Sequence, residues 1–95
     1  MPDYSNPTAT GVSLSNGNNT ITLTKPSYVI ARTSDTTGDG YIVILTSDNK
    51  VISQQYVAGT MHKRLTANAF LDTGSYSINV TGSGEYSVYP LKGVV

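Results

Sequence analysis

Between Gly74 and Val88 this chain alternates with a period of two. Tyr76, Ile78 and Val80 fall on one side, and Ser77, Asn79 and Thr81 on the other. After Gly82-Ser83-Gly84 the alternation resumes with Tyr86 and Val88. Side chains of an extended strand point to opposite faces in turn, so this pattern specifies a sheet with one dry and one wet face. Two such runs across a small-residue turn read as a closing hairpin. Residues 20–24 repeat the pattern with Ile21 and Leu23 inward. Residues 27–32 form a further strand. Residues 41–45 are apolar on both faces and belong in the middle of a sheet, covered on each side or packed against another subunit. Residues 50–57 return from the turn at Ser47-Asp48-Asn49 as their hairpin partner. Residues 12–15 make a short first strand, and Asn16-Gly17-Asn18 a turn, because Asn and Gly tolerate positive φ. Residues 60–70 are ambiguous. Met61, Leu65, Ala69 and Phe70 partly fit a helical spacing, whereas Thr66, Asn68 and the flanking strands favour β, and strand is the expectation. Seven to eight short strands without a helix predict an all-β fold, a single antiparallel β-sandwich of jelly-roll or Greek-key type.

The lead-in to that segment, Leu71-x-x-Gly74-x-Tyr76, resembles the tyrosine corner of Greek-key sandwiches, in which a Tyr near the start of a late strand bonds back to nearby backbone. Leu71, Gly74 and Tyr76 are therefore expected to build a structural corner. The competing reading of Tyr76, a platform for a sugar ring, does not account for the spacing.

The 95 residues suffice for one domain, with an extended arm over residues 1–11 and the sandwich over 12–95. A chain this short buries roughly 60–70% of its unfolded surface, so its core is thin and an interface between copies would add burial. Net charge is zero, which leaves no electrostatic footprint for nucleic acid and little repulsion between copies. There is no cysteine, which excludes disulfides and thiolate metal sites. No apolar run approaches a membrane span. Met1-Pro-Asp-Tyr-Ser-Asn-Pro7 lacks the basic and apolar regions of a secretory leader. Charged residues make up only 13% of the chain, and the surface is solubilised by Thr, Ser, Asn and Gly instead.

No motif names a chemistry. Asp35-Thr-Thr-Gly-Asp-Gly40 offers oxygens to calcium but has neither the spacing nor the closing Glu of an EF-hand, and reads as a turn. His62 is the one histidine, so a paired-His metal site within one chain is absent. It sits in the basic cluster Met61-His-Lys-Arg64, which reads as a solvated strand face. No Gly-x-Ser-x-Gly elbow occurs, and Asp3, Asp35, Asp39, Asp48, Asp72 and Glu85 fall in turns or the arm, where a carboxylate keeps its water. The expectation is a non-enzymatic protein without cofactor. Tyr56 and Tyr89 have polar neighbours and read as exposed. As amphipathic residues with few rotors they suit an interface, or alternatively a glycan site together with Asn68 and Asn79.

Positions Gly74, Tyr76, Ile78, Val80, Tyr86 and Val88 give residues 71–90 a resemblance to the closing strands of bacterial pre-peptidase C-terminal domains and jelly-roll carbohydrate-binding modules. That resemblance implies a sandwich. The polar arm, the Thr/Ser/Asn-rich β-domain and the absence of cysteine and leader make the whole chain similar in type to small phage virion accessory proteins: capsid decoration proteins, head fibres and tail-fibre modules. It implies a structural protein of the virion, made in the host cytoplasm, that binds copies of itself, with three-fold symmetry expected, and a capsid or other virion protein. The expected partner-binding residues are Tyr4 and Pro7 in the arm and Leu91, Val94 and Val95 in the apolar tail. A glycan-binding module of a fibre or secreted protein is the alternative.

Overall fold

The computed structural model describes residues 9–34, 39–58 and 64–91. These form eight strands and no helix: β1 (Ala9–Leu14), β2 (Gly17–Leu23), β3 (Ser27–Thr33), β4 (Gly40–Thr46), β5 (Val51–Val57), β6 (Thr66–Leu71), β7 (Gly74–Val80) and β8 (Gly84–Pro90). They pair antiparallel in two four-stranded sheets, β1-β8-β3-β6 and β2-β7-β4-β5. The protein is a β-sandwich.

The pairing has a simple logic. β1 meets β8, β2 meets β7, β3 meets β6 and β4 meets β5, as though one long hairpin had been folded at the β4–β5 turn. Rolling that hairpin adds the contacts β3/β8 and β4/β7, which complete the sheets. This is the jelly-roll connectivity. The 41–45 strand lies, as its two apolar faces predicted, inside a sheet between β5 and β7.

Three expectations are corrected. The first concerns the closing hairpin. β7 and β8 belong to different sheets, and residues 81–83 arch across the sandwich. Gly82 takes φ +80° there, and its N–H donates to Asn16 Oδ1 at 2.8 Å. That bond ties the arch to the neighbouring one between β1 and β2. The second concerns the turn at 16–18. Gly17 and Asn18 are already paired with Val80 and Asn79 in β2. The reversal occurs at Ser15 and Asn16, where Asn19 acts as a clasp: its Oδ1 accepts from the Ser15 N–H at 3.1 Å and its Nδ2 donates to the Ser15 carbonyl at 2.9 Å. The third concerns the arm. β1 begins at Ala9, which pairs with Val88, so residues 9–11 belong to the sandwich. The rest of the arm lies outside the described residues.

Inward positions of both sheets meet in one core. Val29 and Ala31 of the first sheet face Ile42, Ile44, Ile78 and Val80 of the second, all fully buried. Ile21, Leu23 and Val88 extend it towards the β1/β2 side. β5 departs from the pattern and contributes no fully buried residue. Its inward Ser53 and Gln55 instead span to the other sheet. Gln55 Oε1 accepts from the Thr66 N–H at 2.8 Å, and Ser53 Oγ accepts from the Asn68 N–H at 3.2 Å. An edge strand otherwise presents unpaired donors to any passing strand, and these two side chains cover the β6 edge.

Candidate functional site

With the core fixed, alternation decides what each sheet shows to solvent. On the first sheet the outward residues of β3 are Tyr28, Ile30 and Arg32. Register places Tyr28 between Phe70 of β6 and Tyr89 of β8. The three rings form a row across the strands. Tyr28 and Phe70 have centroids 5.0 Å apart at 49°, and Tyr28 and Tyr89 6.4 Å apart at 41°. The tilted contacts suit aromatic quadrupoles. Phe70 is 70% exposed, which is unusual for a large apolar side chain in a small domain. The next row is Ser87, Ile30 and Asn68, and the one after it Glu85, Arg32 and Thr66. Tyr28, Ile30, Arg32 and Tyr89 line a shallow depression of about 340 Å³ on this face.

The second sheet is divided. Its β2 and β7 strands show Asn18, Thr20, Thr22, Ser75, Ser77 and Asn79, a hydroxyl and amide surface. β4 and β5 show apolar side chains, including Tyr56 paired with Tyr41. Tyr56 is 64% exposed. Tyr41 Oη donates to Asn79 Oδ1 at 3.2 Å, so the Asn79 amide is already engaged.

The four residues proposed from sequence for glycan binding thus fall into two pairs. Tyr89 and Asn68 share the outer face of the first sheet, whereas Tyr56 and Asn79 share that of the second. Of the expected partner-binding residues, Leu91 is half-buried, and its N–H donates to the Pro26 carbonyl at 2.8 Å. It lines a small groove of about 310 Å³ with Pro26, Phe70, Leu71 and Asp72. Tyr4, Pro7, Val94 and Val95 lie outside the described residues, as do His62 and Asp35. At the corner, Tyr76 Oη donates to the Asp72 carbonyl at 2.9 Å, Leu71 is buried and Gly74 has φ +140°.

An open cleft of about 480 Å³ lies between the sheets on the β1/β2 side, walled by Ile21, Leu23, Tyr86, Val88 and Pro90. Among the described residues no three of His, Cys, Asp and Glu gather in a metal-binding group.

The aromatic row was not legible in sequence. Tyr28-x-Ile30-x-Arg32 and Val29-x-Ala31 are both largely apolar, so alternation alone does not say which set faces inward. The three rings come from strands remote in sequence, and cross-strand register brings them together. No protein-family model matches the chain, and no curated protein is significantly similar to it.

Proposed function

We propose that this protein is a non-enzymatic docking protein of a bacteriophage particle, and specifically a decoration protein that binds and stabilises the capsid. The observation that carries the reading is Phe70, 70% exposed at the end of the row Tyr89–Tyr28–Phe70 on an outer sheet face, apolar area that a solitary domain gains nothing by exposing. Two further observations support it. The jelly-roll connectivity is an architecture that viral capsid and lectin domains share. The surface is hydroxyl-rich and carries little charge, so weak lateral contacts are not opposed by repulsion. Binding only to the assembled shell stabilises that shell by mass action, without any chemical step.

The test is co-sedimentation of the purified protein with capsids of the phage whose genome encodes it, followed by thermal challenge. Saturable binding and a raised disruption temperature are expected. Because β1 begins at Ala9, the arm is tested by removing residues 1–8 alone. That deletion should leave the fold intact and abolish capsid binding. Unaltered decoration by the truncated protein would refute the role of the arm.

A second reading is a glycan-binding module. It is favoured by the placement of Tyr89 and Asn68 on the same face as the exposed Phe70 ring, since aromatic faces stack on sugars and amides bond their hydroxyls. A glycan array followed by calorimetry decides it. Saturable binding lost in Phe70→Ala supports this reading, and no heat at millimolar sugar removes it.

A further inference from the structure

We infer that the outer face of the β1-β8-β3-β6 sheet is a self-complementary docking surface for a second copy of this chain, with a two-fold axis crossing the strands at Ile30. The inference does not depend on the virion setting: a second copy competes with the shell for this face, and in the dimer the shell contact falls to the arm. It rests on the order of residues along β3. Tyr28, Ile30 and Arg32 face outward in sequence, with the aromatic row at one end and the guanidinium at the other. Arg32 is exposed and makes no ion pair with its cross-strand neighbour Glu85.

Two sheets packed face to face by a two-fold axis lying in the plane between them have two simple arrangements. If the axis runs across the strands at Ile30, Ile30 meets its own copy. Arg32 of each chain then lies over Tyr28 and its aromatic neighbours in the other. A guanidinium over an aromatic face is attracted by the ring quadrupole. Two such contacts form, one at each end, because an isologous interface uses every contact twice. Tyr89 then faces Glu85, and Phe70 faces Thr66, so no like charges are opposed. If the axis instead runs along β3, Arg32 faces Arg32 and its rows lose the aromatic contact. Charge selects the first arrangement. The half-buried Ile30, between Ser87 and Asn68, supplies the apolar centre with a polar row around it. A three-fold association needs two different patches to meet, and this face does not require a second one.

Sedimentation equilibrium across micromolar to millimolar protein should show a reversible monomer–dimer equilibrium. Ile30→Lys puts like charges against each other on the axis and should weaken the dimer at least tenfold. Arg32→Ala should weaken it several-fold. Circular dichroism checks that both variants keep the fold. The absence of native cysteine allows the axis to be located directly. Facing sheets stand roughly 10 Å apart, too far for a disulfide, so a short bismaleimide is the probe. Ile30→Cys and Ser87→Cys should each cross-link to themselves. Tyr28→Cys should not, but should cross-link to Arg32→Cys when the two are mixed. A strict monomer at millimolar concentration overturns the inference. So does a trimeric mass, a dimer indifferent to Ile30→Lys, or self-cross-linking of Tyr28→Cys without that of Ser87→Cys.

Discussion

The Tyr76 hydroxyl donates a 2.9 Å hydrogen bond to the carbonyl of Asp72, in the turn between β6 and β7. The chain crosses from one sheet to the other at this point, and carbonyls at a crossing have no ladder partner. Gly74 at φ +140° supplies a backbone geometry that a side chain resists, while the half-buried Tyr76 ring packs on the core. Ring and hydroxyl are separable. Tyr76→Phe keeps the ring and should cost about 1 kcal/mol, the net worth of one hydrogen bond. Tyr76→Ala removes both and should cost about 3 kcal/mol or more. Urea unfolding monitored by circular dichroism measures each. Equal losses in the two variants would show that the ring contributes nothing.

Gly84 and Gly82 sit two residues apart and need glycine for different reasons. Gly84 pairs with Thr33 on one side and Leu14 on the other. A Cβ there would run into the carbonyl oxygen of Arg32 and come within 3.1 Å of Thr33 Cα, backbone that cannot swing away. Gly82 has open space around it but takes φ +80°. Gly84→Ala should therefore destabilise by about 2–3 kcal/mol through overpacking. Gly82→Ala should cost about 1 kcal/mol through its dihedral. Replacement by Asn separates them: Asn tolerates left-handed backbone and should partly restore position 82, whereas at 84 it should be no better than Ala. Thermal melts of the four variants give the comparison.

The strands were legible in sequence because one-sided burial writes a period of two. Ile21, Leu23, Ile78 and Val80 declare their face by having Thr, Ser or Asn between them. What the alternation does not carry is the partner. A strand in a hairpin and a strand entering a cross-sheet arch bury the same residues, so residues 74–90 looked like a hairpin although β7 and β8 lie in different sheets. The Asn-Gly at 16–17 misled for a related reason. Its tolerance of positive φ is real, with Gly17 at φ +96°, but the Asn19 clasp moves the reversal upstream. The corner was visible because it is local: Leu71, Gly74 and Tyr76 are close in sequence. The aromatic row was invisible because Tyr28, Phe70 and Tyr89 meet only through register. Of the arm and tail residues singled out for partner binding, Leu91 alone falls among those described.

The β6 edge gives a prediction about local opening. Gln55 and Ser53 accept from the Thr66 and Asn68 N–H groups across the gap between sheets. Gln55→Ala should cost about 1 kcal/mol and speed exchange of the Thr66 amide by about fivefold. The core amides of Val29 and Ile44 should exchange at rates set by global unfolding alone. The uncovered edge should also promote association between strands, visible as aggregation on warming. Hydrogen exchange by NMR reads the first effect and light scattering the second. Unchanged protection at Thr66 would mean that the bond contributes nothing in solution.

Among the described residues Thr33 is the polar residue most deeply enclosed by the core, only 2% exposed at the end of β3. Its N–H donates to the Leu65 carbonyl at 2.8 Å, and its Oγ1 accepts from the Leu65 N–H at 2.9 Å. This two-bond clamp fixes the chain where it enters β6 and places Leu65, itself fully buried, in the core. Thr33→Val keeps the branched shape and makes the side chain apolar, but leaves the Leu65 N–H buried without an acceptor. An apolar substitution in an apolar core would ordinarily be neutral or favourable. Here the stranded donor should make it unfavourable by about 1–3 kcal/mol. Thr33→Ser keeps the acceptor and loses one methyl, and should cost about 1 kcal/mol. Chemical denaturation orders the three proteins: wild type most stable, Ser next, Val least. If Val proves as stable as wild type, the Leu65 N–H has found another partner and the clamp is not what holds this end of the sandwich.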